Sequence, residues 1–132
     1  MINKAANLAG RILLAQIFLI AGINKLSAYA ATQGYMETMG VPGALLPLVI
    51  GLELGGAIAL IAGWKTPWAA VALAGFSVVS AIIFHADFSD QMQTIMFMKN
   101  IAIAGGLLVL AGQRTEATIG VDSRQLHVSR VA

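Results

Sequence analysis

Long apolar runs, each followed by a short polar break, set the pattern of this chain. The stretch from Thr66 to Ala86 carries no Asp, Glu, Lys or Arg and is long enough by itself to cross a bilayer. Three other runs are each interrupted or bounded by ionisable residues. Ile12 to Asn24 is bracketed by Arg11 and Lys25, Gly43 to Gly63 contains Glu53, and Ile95 to Gly112 contains Lys99. With one ionisable residue allowed per span, the pattern predicts four helices, at about 8–26, 43–63, 67–84 and 94–112. At the rise of an α-helix each is about 27 to 32 Å long, which matches the hydrocarbon thickness. The helix breakers fall between them, at Gly40-Val41-Pro42-Gly43, at Gly63-Trp64-Lys65-Thr66-Pro67 and from Asp87 to Asp90. Pro67 suits a first helical turn, and Trp64 and Trp68 suit a membrane interface. The expected fold is an all-α membrane protein, a four-transmembrane-helix bundle with an interfacial segment between helices 1 and 2.

That segment, 27–42, is unusually long for a connection. Ser27 is placed to cap a short helix in which Tyr29, Tyr35, Met36 and Met39 form an amphipathic face, an interfacial helix or partial lid. The chain thus divides into a membrane domain, 1–112, and a polar tail, 113–132, which lacks a clear pattern and is expected to be mobile. Ala28-Tyr29-Ala30 has the A-x-A form of a secretory cleavage site, but Asn24-Lys25 lies between it and the apolar run, so the first helix is expected to stay. No repeat relates the two halves.

Composition strengthens the membrane reading. Hydrophobic residues make up 58% of the 132 and charged residues 11%, where soluble domains carry about 25% charged residues. A mean hydropathy of +0.82 leaves too few polar side chains to cover a soluble globule and excludes disorder. The lipid bilayer is the first partner implied. The formal charge is +2, but the eight Lys and Arg residues are scattered singly, with no basic stripe to track a nucleic acid. They report topology instead. With both termini in the cytoplasm, that side holds Lys4, Arg11, Lys65, Arg114, Arg124 and Arg130, and the outer side only Lys25 and Lys99. Cysteine is absent, which excludes disulfides, thiolate metal sites and CxxC chemistry. No covalent cofactor is expected.

Candidate chemistry lies in the polar residues of the spans. Most of the 14 glycines fall there, including Gly51-x-x-x-Gly55 and the Gly55-Gly56 and Gly105-Gly106 pairs, and they point to close helix packing. On the first span Arg11, Ala15, Phe18, Gly22 and Lys25 follow a 4-3-4-3 spacing and share one stripe. Arg11 is near the membrane edge and is expected to snorkel; Lys25 has the same option, although its neighbour Asn24 adds further polar groups. Glu53 differs. A short carboxylate in mid-span cannot reach water, costs about 2.5–3.5 kcal/mol if left alone, and must be protonated, paired or hydrated. It marks either a functional site or a buried ion pair that fixes helix register. Lys99 shares a face with Ile103 and Gly106, so it can point inward or snorkel, and Asn100 adjoins it. His85 ends the third span, followed by Asp87 and Asp90. It has no second ligand at metal-binding spacing, so no metal site is expected. Asn24, Lys25, His85, Lys99 and Asn100 come from three spans and gather in the outer half of the bundle. They predict an outward-opening polar pocket with Glu53 at its floor.

The order of these features resembles a known family. Ala21-Gly22-x-x-Lys25-Leu26, Gly40-Val41-Pro42, Glu53 with Gly55-Gly56, Phe84-His85, and Phe97-Met98-Lys99-Asn100 with Gly105-Gly106 are similar to the DoxX family, in particular its bacterial inner-membrane members, over about residues 8–112. The resemblance implies a four-helix protein of the bacterial cell inner membrane with a loose link to redox physiology. Relatives in the wider superfamily use cysteine pairs; this chain has none, which removes direct thiol chemistry.

Three functions follow as expectations. The first is a redox-associated protein, with a redox enzyme as partner, that binds a quinone or similar amphiphile. Lys25, His85 and Lys99 would supply hydrogen bonds to the carbonyls, and Glu53 a proton relay. The second is a non-catalytic membrane anchor for a soluble enzyme. The third is a small-molecule or proton-linked transporter, which with only four helices would need a homodimer. No reaction is assigned by the sequence.

Overall fold

In hydrocarbon every backbone amide must find its partner within its own segment, so apolar runs of this length fold as helices. The computed structural model describes residues 2–113 and 118–132. Among them the chain forms six α-helices: α1 (Ile2–Ser27), α2 (Tyr29–Thr38), α3 (Leu46–Ala62), α4 (Thr66–Phe84), α5 (Gln91–Ala111) and α6 (Val121–Val131). A 3-10 turn at Gly43–Leu45 leads into α3. Four segments are long and apolar enough to cross a membrane: α1, Gly43–Ala62, α4 and α5. The four expected spans are therefore present, each displaced by a few residues. α1 begins earlier than expected because its polar first turns continue the helix beyond the apolar run, and α5 begins at Gln91 because Asp90 accepts the Met92 amide at 2.9 Å as its N-cap. Arg114, counted above among the basic residues, lies outside the described residues.

The ends of the helices follow from local chemistry. α3 stops at Gly63, whose φ of 66° is the left-handed conformation that glycine adopts without strain. The Trp64 amide bonds back to the Ala59 carbonyl and the Gly63 amide to Leu60, which closes the helix. Pro47 and Pro67 sit in the first turns of α3 and α4, where no amide donor is needed. Ser27 does not cap α2, contrary to expectation. Ala28 holds that position without a side-chain bond, while the Ser27 hydroxyl donates to the Ile23 carbonyl and so completes α1 instead.

The spans pack in sequence, α1 on α3, α3 on α4 and α4 on α5, with α5 meeting α1 only sparsely. The core of this arc comes from Ala15 and Phe18 of α1, Ala57 and Leu60 of α3, Ala70 and Leu73 of α4, and Ala104 and Leu107 of α5. The stripe expected on the first span is its packed face: Arg11, Ala15, Phe18 and Gly22 are buried. Close approach rests on two glycines. A Cβ on Gly22 would stand 2.6 Å from Leu54 Cδ2, and one on Gly56 2.9 Å from Leu73 Cδ1, so a larger residue at either position would have to push a leucine of the facing helix aside. A second cluster, Met36, Leu46 and Ile50, seats α2 against the start of α3.

Two expectations fail at the other end of the bundle. Arg11 does not snorkel. It is 1% exposed, and its guanidinium donates to the Leu60 carbonyl at 3.2 Å and to the Ile119 carbonyl. Five donors in a planar fork let it collect carbonyls from distant parts of the chain, which outweighs escape to water. The tail is not patternless either. It carries α6, and Asp122 there accepts the Lys65 and Thr66 amides at 2.7 and 2.9 Å, supplying a carboxylate to the N-terminus of α4 from elsewhere in the chain. Gly120 and Gly63 meet backbone to backbone beneath Arg11, and the Asp122 amide donates to the Gly63 carbonyl at 2.9 Å.

Candidate functional site

The opposite end of α1 holds the buried charge pair. Gly22 lets α3 come close enough that a Cβ there would lie 3.6 Å from Glu53 Cβ. One turn on, Lys25 Nζ donates to Glu53 Oε1 at 3.0 Å and stands 3.0 Å from Oε2. Oε2 receives no well-directed hydrogen bond among the described residues, so the carboxylate keeps acceptor capacity. The two partners differ in access: the Lys25 side chain is 26% exposed and that of Glu53 4%. Whatever approaches the pair meets the ammonium first.

What it would approach through is a cavity of about 380 Å³ between α1, α2, α3 and α4, within the range of small-molecule sites. Lys25 and Glu53 line it, together with His85 at the end of α4 and the hydroxyls of Thr32 and Ser80. The remaining wall is apolar. From α2 and its exit come Tyr35, Met36 and Val41, and from α4 come Phe76, Val79 and Phe84. Tyr35 stacks on Phe84 with ring centroids 5.5 Å apart, which ties α2 to α4 across the cavity. The segment between the first two spans is thus a helical wall of the cavity. His85 is oriented by Gln93 of α5, whose Oε1 is 2.7 Å from Nδ1.

Of the six residues expected to form a pocket, Lys25, Glu53 and His85 come together at this cavity. Asn24, Lys99 and Asn100 are not among its lining residues; Asn24 and Lys99 are exposed and Asn100 half-buried. Asn24 precedes Lys25 by one position, which on a helix turns it to another face. Thr32, Ser80 and Gln93 escaped the sequence reading, because a single hydroxyl or amide in an apolar helix carries no periodic signal. Tyr35 and Met36, which the sequence puts on one amphipathic face of this segment, are part of the cavity wall. Among the described residues no three His, Asp or Glu side chains converge as a metal site would require.

Comparison with known proteins gives the chain its relatives. The DoxX family model matches residues 6–86, which takes in α1 to α4 and so every element that builds the cavity. Inner membrane protein YqjF of Escherichia coli (strain K12) is 49% identical over 104 residues, covering 79% of this chain and 80% of that one. Inner membrane protein YphA of the same organism is 32% identical over 111 residues, covering 79% of each. No solved structure matches the chain. With a family match over most of its length, and with four helices long and apolar enough to cross a bilayer, the chain belongs to the DoxX family and is an integral inner-membrane protein.

Proposed function

We propose that this protein is redox-associated and binds a quinone or a similar amphiphile in the cavity bounded by Lys25, Glu53 and His85. The observation that carries the reading is the placement of a partly exposed ammonium, backed by a buried carboxylate, at a largely apolar cavity. A quinone ring needs apolar contact on its faces, which Phe76, Val79 and Phe84 offer, and donors at its carbonyls, which Lys25 Nζ and the Ser80 hydroxyl offer. Glu53, in contact with Lys25 and not reached directly from bulk solvent, is suited to exchange a proton through its partner. No reaction is assigned. Purified protein in native lipid is expected to retain a quinone detectable by mass spectrometry, and addition of a short-chain ubiquinone analogue to stripped protein to raise its melting temperature. Absence of any copurifying amphiphile together with no thermal response to quinones would refute the reading.

The basic residues support an orientation with both termini cytoplasmic and the cavity opening outward. In that orientation residues 113–132 form a cytoplasmic segment attached to the membrane domain 1–112. A C-terminal tag is expected to resist protease on intact spheroplasts and to be cut once they are lysed. Cleavage before lysis reverses the orientation and places the cavity on the cytoplasmic side.

A further inference from the structure

The cytoplasmic-tail helix forms a second concavity, unrelated to the quinone reading. A groove of about 650 Å³ runs between the first turn of α1 and α6, with Lys4, Arg124, His127 and Arg130 and the apolar side chains of Leu126 and Val128 among its lining. The side chains of Lys4 and Arg124 form no ion pair or hydrogen bond among the described residues. Asp122, the nearest acid on α6, is committed to the α4 amides on another face, and Glu116 lies outside the described residues. Lys4 and Arg124, with no counter-charge among the described residues, thus line one space.

Two features fix the depth of this groove. α1 has 26 residues, about 39 Å of helix, where the hydrocarbon needs about 30 Å. Lys25 is in its last turn and pairs within the bundle, so the surplus falls at the start and sets Lys4 at headgroup level. The other feature is α4, whose 19 residues just span the same layer. Asp122 holds its first amides, so α6 begins at the membrane edge, beside the exposed Trp64 and Trp68. Along α6, Arg124, Val128 and Val131 lie at i, i+4 and i+7 and share one side; both valines are strongly exposed, as suits a helix lying against the acyl boundary.

We propose that the groove between Lys4 and α6 binds the phosphate-bearing headgroup of an anionic phospholipid. Lys4 and Arg124 supply the charge for the phosphate, and His127 adds a hydrogen-bonding group for the phosphate or glycerol oxygens. Bound lipid would bridge the first and last helices of the chain and hold the tail to the membrane surface.

The test uses the full chain in nanodiscs of phosphatidylcholine with and without phosphatidylglycerol, with retained lipid counted by native mass spectrometry. Phosphatidylglycerol is expected to be retained in preference to phosphatidylcholine. The double variant Lys4→Gln/Arg124→Gln should weaken that retention by roughly tenfold to thirtyfold, since each basic group near a membrane surface contributes several-fold to anionic-lipid affinity. The charge-preserving double variant Lys4→Arg/Arg124→Lys should keep the lipid. Equal retention of the two lipids, or unchanged retention in the glutamine variant, overturns the proposal. Inorganic phosphate that displaces phosphatidylglycerol at millimolar levels would make the groove a free-phosphate site and overturn it as well.

Discussion

Replacing Lys25 with Met is expected to be far more damaging to the fold than replacing Glu53 with Gln. The Met variant strands a carboxylate that is 3% exposed and has no other basic partner among the described residues. Breaking a buried ion pair from one side costs about 3–5 kcal/mol. The Gln variant strands nothing comparable. Its amide oxygen can still accept from Lys25 Nζ, and Lys25, a quarter exposed, can turn its ammonium outward. Glu53→Gln is therefore expected to keep membrane abundance and melting temperature near those of the parent while losing the thermal response to a quinone analogue, because Lys25 is no longer held at the cavity by a carboxylate. The measurements are abundance in isolated membranes, melting curves with and without the analogue, and the difference between the two variants. Equal loss of abundance in both would reduce the pair to a structural brace and take Glu53 out of any site.

The second large effect concerns Arg11. Its guanidinium joins the last turn of α3 to the residue just ahead of α6. Arg11→Met keeps much of the side-chain volume but removes donors to two carbonyls, and hydrogen bonds from a charged group contribute about 1.5–3 kcal/mol each. A loss of about 3 kcal/mol is expected, with the segment from Thr118 onward released from the bundle. Limited proteolysis should then cut the C-terminal segment of the variant far faster than that of the parent, leaving the membrane helices intact. An unchanged digestion pattern would mean that Asp122 and the Gly63–Gly120 contact hold the tail without Arg11.

The spans were readable because about twenty apolar residues in a row admit few alternatives to a membrane helix, and the α1 stripe because its 4-3-4-3 spacing survives folding unchanged. Partners were not readable in the same way. Glu53 is central in its span, as its place in the apolar run implies, but a sequence does not show which lysine reaches it; Lys25 in the last turn of α1 does. Arg11 was misjudged because its acceptors are backbone carbonyls, which leave no mark in a sequence, and the Ile119 carbonyl is 108 positions away. α6 was missed because its sparse valines do not make a strong periodic face in so polar a segment. Asn24, Lys99 and Asn100 share the depth of Lys25 and His85, but neither a shared depth nor a face within one helix shows which neighbouring helix that face meets.

The two buried ionic groups also differ in when they can be satisfied as the chain is made. Lys25 precedes Glu53 by 28 residues, so the base is already in place when the acid enters the bilayer. Two helices emerging from the translocon as a hairpin can settle the costliest carboxylate in the sequence before α4 or α5 has been synthesised. Arg11, the first charge to insert, must wait for its final acceptor until nearly the whole polypeptide has left the ribosome. The Lys25–Glu53 contact is thus suited to guide early insertion, and the Arg11 contact to close the finished molecule.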